Sequence, residues 1–193
     1  MVVPELEKNP VLRVLSEALS EISDFKAPIT YSLIVIVSGV FCLELVVMAI
    51  YGHPSPQIFA TGIFGIAPWV GWVLSPVLHK GILHFIASIF GIWLLGIPIE
   101  QSLSRWRYIG FLTFSGYLSA VFGWASKAPF TTQDVVFYGS SGIVFALGGF
   151  ALSYYPRWFG SVRKSEWLAT FFGGLVMFQV LFDVVTGPFL TTH

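Results

Sequence analysis

Long apolar runs constrain this chain more than any other feature of its sequence. The run from Ile29 to Tyr51 holds one charged side chain, Glu44. Four more such runs follow, at residues 82–99, 108–126, 139–155 and 167–187. Because a helix needs about 20 apolar residues to cross a bilayer, the sequence predicts five membrane-spanning helices.

The composition agrees with a chain that resides in lipid. Only 10% of the residues are charged, and the mean hydropathy is +0.80; soluble domains carry about 25% charged residues. The formal net charge is zero, so we expect no nucleic-acid partner. With Cys42 as the single cysteine, no internal disulfide can form. We therefore predict an all-α, polytopic membrane helix bundle whose surroundings are the lipid bilayer.

The first 28 residues differ from the rest. After Asn9-Pro10, which resembles a helix start, apolar residues recur at helical spacing among charged ones. This pattern predicts a short amphipathic helix, which either lies on the membrane surface or packs on the bundle as a cytosolic helix. We divide the chain into a cytoplasmic amphipathic segment, residues 1–28, and a membrane domain, residues 29–193.

Lysine and arginine are distributed unevenly between the connections. Eight of the ten precede the first run or lie between runs two and three or four and five, whereas Lys80 and Lys127 lie in the other connections. Cytoplasmic connections carry the excess of positive charge. The N-terminus is therefore predicted to be cytoplasmic, with the connections at residues 52–81 and 127–138 outside.

Polar side chains gather at the predicted outer ends of three runs. They are His79, His84 and Ser88 at the start of the second run, Ser140 and Ser141 at the start of the fourth, and His193 after the fifth. Because polar groups in membrane helices usually face a bundle interior or a watery cavity, their shared depth predicts one pocket. His84 and Ser88 are four residues apart and share a helical face. The spacing of His79 and His84 does not match a zinc-binding helix, so we expect no metal.

Ser141 is predicted to lie at the amino end of a helix. Unpaired backbone N–H groups there stabilise a negative oxygen. Gly139 and Gly142 leave room for a second backbone to approach. A stripe of small side chains then predicts close helix packing, at Gly142, Ala146, Gly149 and Ser153.

A serine hydroxyl becomes a strong nucleophile when a base takes its proton, and histidine has a suitable pKa. His193 is the candidate base. His84, Ser88 and the Ser141 N–H are candidate donors to an oxyanion. Asp183 has no clear place as a third catalytic group.

Two carboxylates receive structural interpretations. Glu44 lies within the first run, where contact with lipid would be costly, so we expect it to point inward and accept hydrogen bonds. Glu100 is expected to form a cytoplasmic ion pair with Arg105 or Arg107.

Three segments resemble the rhomboid family of intramembrane serine proteases. "HKGILHFIAS" resembles the second-helix pattern of two histidines five apart with a polar residue four later. "YGSSG" matches the G-x-S-G motif, and "GIPIEQSLSRWRYIGF" resembles the glutamate-then-arginine segment after the second helix. The resemblance covers roughly Ile29 to the C-terminus.

The resemblance implies a serine–histidine dyad that cleaves single-pass transmembrane proteins near the outer ends of their helices, with no metal and no cofactor. Ser141 is the implied nucleophile and His193 the implied base. His84 and Ser88 are the implied oxyanion donors, with His79 as a supporting polar residue nearby.

The chain departs from the family pattern at three places. Ser88 replaces the usual asparagine, Phe145 replaces a tyrosine that stacks on the catalytic histidine, and the sixth helix is missing. We expect a truncated sequence whose missing part begins at His193. The alternative is an inactive rhomboid-like protein that binds transmembrane clients. A small transporter or channel is a third reading, although no inverted repeat is seen.

Overall fold

The described part of the chain consists of helices joined by turns and short irregular stretches, with no strand. The computed structural model describes residues 10–52, 73–79, 81–127, 139–155 and 164–190, with side chains described except at 123–127, 165 and 179–190. Within these ranges six helices follow one another: α1 (Pro10–Asp24), α2 (Pro28–Tyr51), α3 (Ile82–Ser102), α4 (Arg105–Lys127), α5 (Ser141–Tyr154) and α6 (Lys164–Leu190). Each of the five predicted apolar runs forms one helix, and α1 is the predicted amino-terminal helix.

Length and composition allow two of these helices to cross a bilayer, α2 and α3. In addition, α5 and residues 166–178 of α6 are apolar but shorter. Large apolar side chains remain exposed on the outside of the bundle, as lipid contact requires, among them Val35 on α2, Leu83 on α3, Phe114 on α4 and Phe178 on α6.

The bounds of α2 follow from its terminal residues. Pro28 occupies the first turn, where its missing N–H costs nothing. At the other end Gly52 adopts φ 69°, and its N–H donates to the Met48 carbonyl. Such a left-handed glycine ends a helix and satisfies one of its last carbonyls.

Helices α2 and α3 run antiparallel. Thr30 at the start of α2 meets Glu100 near the end of α3. Farther along, Phe41 stacks on Phe85 with ring centroids 4.1 Å apart. The end of the bundle that holds α1, Thr30 and Glu100 is called the α1 end below, and the opposite end the site end.

Helices α3 and α5 run in the same direction, with α5 at the centre of the bundle against α3, α4 and α6. His84 lies beside Gly139, just before α5, and Gly91 faces Val144 one to two turns on. A Cβ at Gly91 would lie 2.6 Å from Val144 Cγ1, so this crossing requires glycine. The consequence is that the first turns of α3 and α5 lie side by side.

The predicted small-residue stripe on α5 is only partly right. A Cβ at Gly142 would overlap the Ser119 hydroxyl, as a close crossing with α4 requires. The crossing with α6 uses Gly148 instead, because a Cβ at Gly173 would lie 2.7 Å from the Gly148 carbonyl oxygen. Gly149 has no neighbour within 4 Å of such a Cβ. The buried face is therefore one residue away from the predicted one in the second half of α5.

Helix α1 packs on the bundle, which is the second of its two predicted placements. Ala18 and Ile22 are completely buried against apolar residues of α3 and α6, including Leu94, Ile97 and Leu168. An ion pair between Glu17 and Lys164 joins α1 to the start of α6. This small core closes the α1 end of the bundle.

The predicted ion pair between Glu100 and an arginine is wrong within the described residues. The Glu100 carboxylate instead accepts hydrogen bonds from the backbone N–H groups of Ile29 and Thr30, at 3.0 and 2.8 Å, and from the Thr30 hydroxyl at 2.7 Å. Arg105 and Arg107 are exposed. The N–H groups in the first turn of α2, which have no partner within the helix, thus pair with Glu100 in place of the predicted arginine.

Replacing Glu100 by leucine is expected to lower the free energy of unfolding by about 2 kcal/mol, because two buried donors of Thr30 and the partly buried N–H of Ile29 lose their acceptor. Denaturant unfolding in detergent micelles measures this loss. Arg107→Ala is the matched control, with an expected change within about 0.5 kcal/mol. If Glu100→Leu and Arg107→Ala lowered the free energy of unfolding equally, an ion pair between Glu100 and Arg107 would be the better interpretation.

Candidate active site

A sharp turn of the backbone sets the start of α5. Gly139 has φ 125°, a conformation that side-chain-bearing residues rarely adopt. Its N–H donates to the Ser75 carbonyl at 2.7 Å. Ser140 follows as the cap residue, and α5 begins at Ser141. The Ser141 hydroxyl therefore stands at the amino end of a helix, as predicted.

Ser141 and His84 meet at Gly139. A Cβ placed on Gly139 would lie 2.7 Å from His84 Cε1, 3.2 Å from His84 Nε2 and 3.3 Å from Ser141 Oγ. The absent side chain is what lets the imidazole of α3 and the hydroxyl of α5 share this space. Both side chains are only partly buried. The structure thus brings these two predicted site residues together.

Ser88 and Phe145 lie one turn farther along α3 and α5. Ser88 is buried, at 3% exposure, whereas Phe145 is 38% exposed. Gly91 of α3 faces Val144 of α5. Ser88 lies three residues before Gly91, and Ser141 lies three residues before Val144. Because residues three apart share a helical face, Ser88 lies on the α5-facing side of α3 at the depth of Ser141.

A second serine–histidine pair lies behind the first. His79 Nε2 and Ser140 Oγ are 2.9 Å apart in a hydrogen bond, and both side chains are buried. His79 was predicted to be a supporting residue, but its partner was not foreseen. A signal was present in the sequence, because two adjacent serines lie between Gly139 and Gly142 and the G-x-S-G motif assigns a role only to the second of them.

Aromatic rings enclose His79. The rings of Phe41 and Phe85 lie perpendicular to its imidazole, with ring centroids 6.1 and 5.6 Å away, and the His84 ring lies at 5.3 Å. Burial, then repulsion from His84, lowers the pKa of His79 to about 4, and the nearby backbone of Val77 offsets this only in part. His79 is therefore neutral near pH 7, as its bond to a hydroxyl allows.

Glu44 holds the backbone of His79 in place. Its two carboxylate oxygens lie 3.0 and 3.1 Å from the His79 backbone N–H, which donates to both. Glu44 is 2% exposed although it lies in the middle of an apolar helix. The predicted inward, hydrogen-bonding role of Glu44 is confirmed.

His193, the predicted base, lies outside the described residues, and so does most of the two connections that are predicted to lie on the outer side of the membrane. Among the residues that the structure does describe, no three His, Cys, Asp or Glu side chains come together as metal ligands would.

An all-α bundle with an apolar exterior and clustered serines and histidines at one end defines a helical membrane protein with a candidate hydrolytic site. The family model of the Rhomboid domain matches residues 67–192, which is more than half of the chain. The chain belongs to the rhomboid family, whose members are polytopic helical membrane bundles. Comparison with curated proteins and with solved structures gives no match.

Proposed function

We propose that this rhomboid protein is an intramembrane serine endopeptidase that cleaves transmembrane helices near their extracytoplasmic ends. One observation carries the proposal: a partly exposed hydroxyl, Ser141, stands at the amino end of α5 and shares the space at Gly139 with the His84 imidazole. A nucleophile next to a hydrogen-bond donor and free helix N–H groups is the arrangement that acyl transfer needs.

In the proposed reaction Ser141 Oγ attacks the carbonyl carbon of the scissile peptide bond. His193 takes the proton of the hydroxyl as the new C–O bond forms. When the C–N bond breaks, His193 returns that proton to the leaving amine. Water, activated in the same way, then hydrolyses the acyl-enzyme and frees Ser141.

The oxyanion is held by the Ser141 N–H, the His84 imidazole and the Ser88 hydroxyl. Each such donor contributes about 3 kcal/mol of transition-state stabilisation in comparable sites. A serine reaches less far than the asparagine that the family usually has, so Ser88 acts directly or through water. Phe145 retains the ring of the family's tyrosine for packing against His193 but not its hydroxyl.

The proposed orientation places the α1 end in the cytoplasm and the site end outside. Lysine and arginine side chains are exposed at the α1 end, as the positive-inside rule requires, and they are Arg13, Lys26, Arg105, Arg107 and Lys164. Substrates are single-pass transmembrane proteins that unwind locally, because an intact helix keeps its carbonyls in hydrogen bonds. The site end then meets such helices at the outer leaflet.

Covalent labelling with a fluorophosphonate tests the proposal in the full-length protein. We expect labelling of the wild type and of Ser115→Ala, a control serine that bonds a carbonyl of its own helix, Leu112. Ser141→Ala is expected to lose the label. A wild-type protein that folds and remains unlabelled would instead support an inactive rhomboid-like binder of transmembrane clients, the alternative that Ser88 favours.

A further inference from the structure

The two segments that carry the candidate site are joined by a buried hydrogen bond. Ser140 directly precedes Ser141, and His79 precedes His84 by five residues. The bond between Ser140 Oγ and His79 Nε2, at 2.9 Å, therefore connects the start of α5 with the segment that leads into α3.

Two further contacts hold the same segment, residues 75–79. The Gly139 N–H donates to the Ser75 carbonyl at 2.7 Å, which ties the segment to the chain before Ser140. The Glu44 carboxylate accepts the His79 N–H at 3.0 Å, which ties it to α2. Hydrogen bonds thus join α2, segment 75–79 and residues 139–140 beside the site.

A catalytic role for the Ser140–His79 pair is excluded by its surroundings. Its distance suits a nucleophile and a base, but Ser140 is 0% and His79 2% exposed. Phe41 and Phe85 cover the imidazole. A peptide carbonyl cannot reach this hydroxyl, so the pair acts on the reaction only through the residues that follow it.

We propose that Ser140, His79 and Glu44 are positioning residues that fix Ser141 against His84, and that they govern the rate of peptide-bond attack without contributing to substrate binding. This inference rests on the proposed function. Small misplacements of a reacting group are costly, since about 1 Å can lower a rate about 100-fold. Losing the buried bond releases the start of α5 from the His79 segment.

The experiment compares Ser140→Ala with Ser115→Ala in the full-length protein, reconstituted in liposomes with a transmembrane substrate. For Ser140→Ala we expect kcat to fall by about 10- to 100-fold. KM, expressed as the mole fraction of substrate in the bilayer, is expected to stay within about 2-fold. Ser115→Ala removes a partly buried hydroxyl that, among the described residues, bonds only the Leu112 carbonyl of its own helix, and it is expected to keep the wild-type kcat.

Glu44 gives an independent test that does not depend on the folding of Ser140→Ala. Glu44→Gln keeps an acceptor for the His79 N–H, whereas Glu44→Leu removes it. A kcat near wild type for glutamine together with a reduced kcat for leucine supports the positioning role. Equal kcat values for the two variants overturn it.

The failure of this inference is distinguishable from the failure of the proposed function. If Ser141→Ala keeps cleaving, the proposed function is wrong whatever Ser140→Ala does. If Ser141→Ala is inactive while Ser140→Ala melts at a lower temperature and retains the wild-type kcat, the pair has a structural role alone and the positioning role is wrong.

Discussion

Replacing Ser141 by alanine is expected to lower kcat for cleavage of a transmembrane substrate by at least about 10³-fold. The variant keeps the helix N–H groups and His84 but has no oxygen to form the acyl-enzyme. Cleavage in liposomes by the full-length protein is the measurement. Because Ser141 is only partly buried, we expect its unfolding midpoint to stay near that of the wild type.

A single-turnover assay sharpens this test, since it removes product release from the comparison. Ser115→Ala again serves as the matched serine control. Wild-type cleavage by Ser141→Ala would show that another group attacks the substrate, and the proposed function would have to be abandoned.

Replacing Gly139 by alanine is expected to lower kcat by at least about 100-fold. The added Cβ would lie 2.7 Å from His84 Cε1, so the His84 ring has to move, and it would also crowd Ser141 Oγ at 3.3 Å. The φ of 125° adds backbone strain of about 1–3 kcal/mol for any residue with a side chain. Both effects act at the point where nucleophile and imidazole meet.

Gly52→Ala separates the two effects. Gly52 also has a positive φ, 69°, but a Cβ there would meet none of the described residues within 4 Å. We expect Gly52→Ala to lower the unfolding midpoint while leaving kcat unchanged. If Gly139→Ala matched Gly52→Ala in both measurements, the crowding of His84 and Ser141 at Gly139 would have no catalytic significance.

The helices could be predicted because their signal is local. Apolar runs bounded by proline, glycine or charge placed α2–α6 within a few residues of the observed bounds. The meeting of Ser141 with His84 was also predictable, since helices that alternate in direction bring the starts of α3 and α5 to the same end. Helix direction and depth follow from the order of the runs and need no knowledge of side-chain packing.

The partners of buried polar groups could not be predicted in the same way. Glu100 caps α2 although Arg105 and Arg107 are closer to it in sequence. The unpaired N–H groups at the start of a helix need an acceptor, but the sequence does not show which carboxylate will accept from them. The Ser140–His79 bond depends on how segment 75–79 folds beneath α5. The choice between Gly148 and Gly149 at the α6 crossing depends on a rotation of α5 by about 100° per residue.

The neighbouring hydroxyls of Ser140 and Ser141 have the same chemistry but different access to solvent, because Ser140 is buried and Ser141 is partly exposed. A serine-directed reagent applied to the native protein should therefore leave its adduct on one residue alone. Peptide mapping that finds the adduct on Ser140 would reveal molecules in which the Ser140–His79 pair has become accessible to solvent. The ratio of adduct on Ser140 to adduct on Ser141, measured by mass spectrometry, therefore reports how much of a purified preparation is correctly folded at the site, and it requires no known substrate.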